Sequence, residues 1–333
     1  MTRSEFVHRA LCYGSDDEFL EATLAFAHDG LDAGDAVLAV LASRNVTLLD
    51  EALGPRSRDV EFIDADDWYG YPSRTLGRYS AYCAEHETGP SGGPRRVRII
   101  GEPVWSGRTD FEAREWMRYE SLVNVAFADT GHWILCPYDT RTVPTDIVRT
   151  AARTHPELAL GARESVPSGR YADPADFYAE CDAARPSGVL EGHDDIPFVR
   201  GRSVAVRRAL AMYARGLGLS EQRTYDLVTA VHEAVINAVR YGGGRGIVRL
   251  RGDAHYVICE VADEGVNTAA ASAPFPGHLP PDLRAAGGHG MWVVRQLSDL
   301  VTEDLRPGGS VVRMYFRRPG RGVRQREFAS PGG

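Results

Sequence analysis

Glu233 and Asn237 stand four residues apart in a segment whose apolar residues recur at helical spacing, so both side chains share one helix face. A carboxylate there accepts a proton from an attacking hydroxyl or water. An amide oxygen one turn away ligates Mg²⁺ without adding charge, and Mg²⁺ takes few protein ligands beside phosphates and water. Asp263 ends a segment of strand-like alternation, where an acid accepts the exocyclic amino hydrogen of adenine. Gly265 lets the backbone come close to a ring. Gly287, Gly288, His289 and Gly290 precede an apolar helix that begins at Met291. The N–H groups of a glycine loop and of a helix N-terminus hold phosphates without a cationic side chain. Taken singly, each has a plainer role: a solvated polar pair, an ordinary turn, a flexible connector. In this order they describe a pocket for Mg·ATP.

All 38 basic residues are Arg. A chain without lysine has no P-loop lysine, no strand lysine of the eukaryotic protein-kinase kind and no Schiff-base amine. The 333 residues, 43% hydrophobic, suit two domains. Charge divides the chain the same way. Residues 1–197 hold 19 Arg against 34 acids, net −15, and residues 198–333 hold 19 Arg against 12 acids, net +7. A basic second half suits a nucleotide and an acidic protein surface. It shows no recognition-helix pattern, so direct DNA binding is not expected. No apolar run reaches membrane-span length and no signal-peptide core opens the chain, so a cytoplasmic protein is expected. Five scattered cysteines without C-x-x-C spacing read as buried, reduced thiols.

The elements that position these residues follow from periodicity. In the first half, helices are expected at 16–31, 74–85 and 111–127, and strands at 36–41, 60–63, 97–100 and 133–136. That alternation argues a mostly parallel α/β sheet. Residues 160–197, rich in Pro and acids, read as a linker with one short helix near Phe177. In the second half, helices are expected at 200–217 and 220–241, the latter capped by Ser220 and stopped at Gly242. Tyr225, Val228, Val231, Val235 and Val239 form its expected core stripe, with Asp226 and Ala230 on the face of Glu233. Strands at 246–251, 255–263, 300–304 and 310–316 complete a mixed sheet with helices on one face. Residues 268–286 read as a mobile lid, and the tail after Pro319 as disordered.

With those motifs in place, the second half resembles the GHKL (Bergerat-fold) ATPases. It is most similar to the small ATP-binding anti-sigma factors that double as serine kinases. The matches are E-x-x-x-N-A at Glu233, Asn237 and Ala238, D-x-G at Asp263 and Gly265, G-x-G-M from Gly288 to Met291 with Leu297 and Asp299, and G-S-x-V at Gly309, Ser310 and Val312. The resemblance implies that Glu233 is the catalytic base, that Asn237 binds Mg²⁺ and that Asp263 binds adenine. It places Gly265, Gly287, Gly288, His289, Gly290, Met291 and Ser310 around the nucleotide. Val266 and Asn267 depart from the family's pattern, which usually continues with a second glycine.

The first half resembles the MEDS sensory domain of methanogen and methylotroph regulators. The stretches that carry this are 8–13 (HRALCY), 18–20 (EFL), 98–105 (RIIGEPVW), 136–139 (CPYD) and 153–156 (RTHP). The resemblance implies a degenerate RecA-like α/β fold. At the P-loop position, residues 14–20 read GSDDEFL, with acids where phosphate would sit, so no nucleotide is expected there. Trp68, Tyr69, Tyr71, Glu102, Trp105 and Tyr138 are candidates to line a small-molecule pocket, against a plainer role as packing. His8, His132 and His155 are scattered and read as structural.

The expected architecture is therefore a RecA-like α/β sensory domain (5–160), a linker (161–195), a Bergerat-fold α/β sandwich (196–318) and a tail (319–333). The expected function is an anti-sigma factor and serine/threonine kinase, with a STAS-type anti-anti-sigma protein and a sigma factor as partners. The family's ATPase domains often pair as homodimers, so the resemblance offers a homodimer as one expectation without fixing which half would form it. Two other readings stand beside it. A two-component histidine kinase needs a phospho-accepting His on a two-helix hairpin, which the Pro-rich 160–197 disfavours. A pure ATP-binding module would move no phosphate.

Overall fold

The computed structural model describes residues 5–183, 195–200, 203–265, 275, 277–278, 281, 289–306 and 308–319. Gly287, Gly288, Val266, Asn267, most of the lid 268–286 and the tail from 320 onward lie outside the described residues. The chain divides into two compact units, Met1–Pro186 and Ser187–Gly333. Among the described residues no helix is long and apolar enough to cross a membrane.

The first unit runs β1 (Val7–Tyr13), α1 (Asp16–Ala33), β2 (Ala36–Leu41), α2 (Ser43–Leu53), β3 (Val60–Asp64), α3 (Ala65–Trp68), α4 (Pro72–His86), β4 (Val97–Gly101), α5 (Asp110–Ala126), β5 (Trp133–Asp139), α6 (Thr145–Thr154), β6 (Glu157–Ala159), β7 (Ser165–Pro167) and α7 (Pro174–Ala183). The sheet order is β3-β2-β4-β5-β1-β6-β7, parallel except for the β6–β7 pair. Every residue of β2 is buried, as a parallel strand covered on both faces requires. Leu11, Val37, Ala39, Leu41 and Leu135 form one core with Phe19, Phe26 and Leu49 of α1 and α2. Arg98 is a buried exception inside β4. Its guanidinium donates to Asp35 at 2.8 Å and lies over the Trp133 ring at 4.4 Å. Gly30 leaves room for it, since a Cβ there would fall 2.7 Å from Arg98 Cδ.

The stretch read as linker is partly built into this unit. β7 extends the sheet, and α7 buries Phe177 and Tyr178. The Arg118 guanidinium lies 3.6 Å over the Tyr178 ring and pairs with Asp182 at 3.1 Å. The short helix near Phe177 is as expected and starts at a proline, which an N-terminal turn tolerates; its packing into the first unit corrects the reading of this stretch as a linker. β1, α2 and α6 went unassigned. β1 alternates weakly because both of its faces are covered.

The second unit runs β8 (Ile196–Val199), α8 (Ser203–Gly216), α9 (Glu221–Tyr241), β9 (Arg245–Gly252), β10 (Tyr256–Asp263), α10 (His289–Leu297), β11 (Leu300–Arg306) and β12 (Gly309–Arg317). The sheet order is β11-β12-β10-β9-β8. Every described pairing is antiparallel, so the expected mixed sheet is corrected to an antiparallel one. Short reversals join β9 to β10 and β11 to β12, and β8 comes in ahead of α8. The α9 stripe is also corrected. Leu227, Ala230, Val231, Ala234, Val235 and Ala238 face the core, with Val257, Cys259 and Val261 of β10 and Met314 and Phe316 of β12. Tyr225 is 66% exposed, and Ala230 belongs to the core rather than to the face of Glu233. The alanines complete the stripe between Leu227, Val231 and Val235.

One arginine ties α9 to the end of α10. Arg223 on α9 donates to Asp226 at 2.8 Å, to the Leu297 carbonyl at 3.0 Å and to Asp299, whose other oxygen accepts the Arg317 N–H. Asp299, part of the glycine-loop motif, therefore serves as a clamp. Ser220 caps α9, its hydroxyl accepting the Arg223 N–H at 3.3 Å. Ser220→Ala should cost about 1 kcal/mol of stability, read as a lower urea midpoint for the unfolding of this unit.

Candidate functional site

α9 is the axis of the candidate nucleotide site. Glu233 and Asn237 lie one turn apart and are half-buried. Gly290 at the start of α10 packs directly on both. A Cβ at Gly290 would fall 3.1 Å from the Asn237 amide atoms and 3.3 Å from Glu233 Oε2. The structure thus brings the Glu/Asn pair against the one end of α10 where main-chain N–H groups have no intrahelical acceptor. His289 and Gly290 belong to the first turn of α10, which starts two residues before the expected Met291. Met291 packs at the edge of the core, and Gly277 rests against its backbone.

Asp263 stands at the other end of α9, roughly 8 Å along the helix from Asn237 by helical rise. It is the last residue of β10, flanked by Ser310 on β12 and Gly246 on β9. The residue is 7% exposed, and its carboxylate is held on both oxygens. The Gly265 N–H donates to Oδ1 at 3.0 Å, and the Ser310 hydroxyl donates to Oδ2. An ionised carboxylate has about four acceptor positions, so two bonds fix its orientation and leave acceptor capacity for a ligand amino group. Gly242, just past α9, makes the space. A Cβ there would fall 2.3 Å from Asp263 Cγ. Gly265 is tighter still, since a Cβ on it would lie 1.9 Å from the Gly242 carbonyl carbon. Ser310 was expected near the nucleotide. Its role here is to brace Asp263.

The residues present fit Mg·ATP by their donor set. A braced acid, an uncharged amide, a second carboxylate and a helix N-terminus lie along one helix, with glycine where the backbone approaches. Asn237 would hold Mg²⁺, and the first turn of α10 would meet the phosphates.

The first unit contrasts with this. At the β1–α1 turn, the Gly14 N–H donates to Glu18 at 2.6 Å, and Ser15 caps Glu18 N at 3.2 Å. Asp16 is held by Arg44 and Arg141, which pull its carboxyl below the usual range. Carboxylates therefore fill the turn that a phosphate would need. Glu102 is likewise engaged, accepting from Asn45 at 2.8 Å and from the Ala42 N–H at 3.0 Å. Burial raises its pKa above the ordinary value, against those hydrogen bonds. Of the aromatic candidates, Trp105 stacks on Tyr138 with ring centres 6.2 Å apart, and Tyr69 meets Trp116 edge-on at 5.5 Å. This is mainly packing, although the buried indole N–H groups of Trp68 and Trp105 have no acceptor among the described residues.

Residues 7–156 match the family model of the MEDS domain, the MEthanogen/methylotroph, DcmR Sensory domain. Residues 200–316 match that of the histidine kinase-like ATPase domain. The chain joins a MEDS domain to a histidine kinase-like ATPase domain. A search of curated proteins gives no match. Among solved structures the chain is similar to the Mycobacterial sensor histidine kinase MprB, at 14% identity and a TM-score of 0.26, over 38% of this chain and 99% of that one.

The ATPase domain's packing supplies a direct test. Gly265→Ala should lower the thermal midpoint, because two main-chain segments must separate, and should remove adenine-nucleotide binding measured by calorimetry. Gly308→Ala, whose Cβ meets nothing within 4 Å, should change neither.

Proposed function

We propose that the ATPase domain is an ATP-binding anti-sigma module and serine/threonine kinase acting on a STAS-type anti-anti-sigma protein, under the control of the MEDS domain. The observation that carries the reading is the seating of Gly290 on Glu233 and Asn237, with the braced Asp263 at the far end of the same helix. Asp263 selects adenine through its amino group. Asn237 holds Mg²⁺, which supplies charge neutralisation to the phosphates when bound. Glu233, half-buried and one turn from Asn237, accepts the proton of a partner's Ser or Thr hydroxyl. A sigma factor competes for the same domain, whose net positive charge favours acidic surfaces. The MEDS domain biases that competition through contacts that differ between its two states. A small molecule that accepts hydrogen bonds from Trp68 and Trp105 suits its input.

Histidine kinase activity is the competing reading, since the ATPase family is shared. Residues 161–183 favour the serine assignment. They form β7 and the ten-residue α7, which packs into the first unit rather than pairing as a long two-helix hairpin. His232 adjoins Glu233, but neighbours one apart on a helix diverge, and its Nδ1 is buried.

Full-length chain incubated with labelled Mg·ATP and candidate STAS proteins should yield acid-stable phosphoserine or phosphothreonine on the partner. Glu233→Gln should slow transfer by about 10²–10⁴-fold while ATP binding persists. Acid-labile label on the chain itself would replace this reading with the histidine kinase. Binding of ATP without transfer to any partner would leave a pure binding module.

A further inference from the structure

The fold gathers four side chains that are far apart in sequence: His8 on β1, Glu120 on α5, Cys136 on β5 and His155 just after α6. All four are buried, and one ligand atom from each lies within 4.8 Å of every other. His8 Nε2 is 3.5 Å from Cys136 Sγ and 3.9 Å from Glu120 Oε2, and His155 Nε2 is 3.6 Å from the same oxygen. Tetrahedral Zn²⁺ with nitrogen and oxygen at about 2.0–2.2 Å and sulfur at about 2.3 Å needs ligand atoms roughly 3.3–3.8 Å apart. Three of the separations stand at or near that value, and about 1 Å of closure brings in the widest pair.

The surrounding hydrogen bonds aim both imidazoles inward. Asn124 donates its amide hydrogens to the carbonyls of Thr154 at 2.7 Å and Ser121 at 3.2 Å, so its oxygen is the atom left to face His8. His8 Nδ1 is therefore the donor in its 2.9 Å bond to Asn124, and its Nε2 carries a lone pair. His155 Nδ1 donates to the Ala151 carbonyl at 2.9 Å, which leaves Nε2 bare in the same way. Among the described residues, His155 Nε2 has no hydrogen-bond partner although the side chain is fully buried. An orienting acceptor on the far nitrogen is what metal-ligating histidines require. Burial keeps both rings uncharged, pushing His8 down to about 4 and His155 well below its ordinary value.

We propose that the MEDS domain binds one Zn²⁺ through His8, Glu120, Cys136 and His155. Two nitrogens, a thiolate and a carboxylate are a borderline-soft set that suits zinc over magnesium or calcium. The two anionic ligands balance the two positive charges, so the buried site is neutral. The Cys136 and Glu120 protons leave to solvent when the ion enters. Four protein ligands leave no open position, which makes the site structural rather than hydrolytic. The ion ties α5 and the end of α6 to the two central strands β1 and β5. Tyr138, edge-on to His155 at 5.7 Å, and Phe6, stacked on His8 at 6.0 Å, help keep water out.

Full-length chain from zinc-supplemented cells should carry about one Zn²⁺ per molecule by elemental analysis. Cys136→Ser and His155→Gln should each lower that at least tenfold, and Cys12→Ser should leave it unchanged. Wild-type chain stripped of metal and loaded with Co²⁺ should show thiolate-to-cobalt absorption in the near ultraviolet and tetrahedral visible bands, a readout that needs no variant to fold. Wild-type chain that takes up neither Zn²⁺ nor Co²⁺ would overturn the proposal. So would full metal content in both ligand variants, or cobalt binding without the thiolate band.

Discussion

The nucleotide half depends on how closely bare main chain can approach α9 and its end. Gly242 and Gly265 meet backbone to backbone, and the Asp263 carboxylate lies in the space that a side chain on Gly242 would fill. Gly290 makes the equivalent contact two turns back, against Asn237 and Glu233. These contacts place an acid, an amide and a helix N-terminus along one rod. Hydrogen bonding alone would not hold them, because the bonds from Ser310 and Gly265 to Asp263 need those backbones already in place. Steric fit comes first and the polar geometry follows from it.

A chain without lysine also separates two tasks that basic residues often share. Its arginines are spent on the scaffold, where a planar fork outperforms a point charge. Arg223 ties α9 to Asp226, Asp299 and the Leu297 carbonyl. Buried Glu260 on β10 is held between Arg249 on β9 and Arg313 on β12, its cross-strand partners on either side. Arg98 crosses the first unit's core to reach Asp35. Removing one partner from such a buried pair strands the other at a cost of about 3–5 kcal/mol. In the proposed function, phosphate would be left to main-chain nitrogen, which carries no side-chain charge to be neutralised elsewhere.

The sequence was legible where local rules decide and opaque where distant segments meet. Ser220 as a cap, the stop at Gly242 and the strand ending at Asp263 all follow from local chemistry, and each stands as expected. The α9 stripe misled because alanine carries little hydropathy signal, while Tyr225 matches the period and points outward. The short helix near Phe177 stands as expected, but its docking on the first unit was not legible, because that rests on distant Arg118 and Arg153, whose guanidiniums stack on Tyr178 and Phe177. The second sheet was expected to be mixed, but β12 lies between β10 and β11 and pairs antiparallel with both, so the two strands joined through α10 are not neighbours.

The buried histidines show why pairwise spacing fails for long-range sites. His8 and His155 are 147 positions apart in the numbering, yet their rings lie 4.0 Å centre to centre. A parallel sheet does this routinely, since a crossover separates neighbouring strands by a helix or more. β1 lies between β5 and β6, so His155, two residues ahead of β6, and the face of β5 both converge on it. Three of the four clustered residues fall within the short stretches HRALCY, CPYD and RTHP that marked the MEDS resemblance, and the fourth lies on the helix above them. Those stretches were informative for a physical reason. They are the places where strands that neighbour one another in space, and not in sequence, contribute polar side chains to one dry interior. Burying two imidazoles, a thiol and a carboxyl together is costly, and the first unit does so while its surface turn at Gly14 is closed off by its own carboxylates. The polar chemistry of this half has moved from the loop at the end of β1 to the interior beside it.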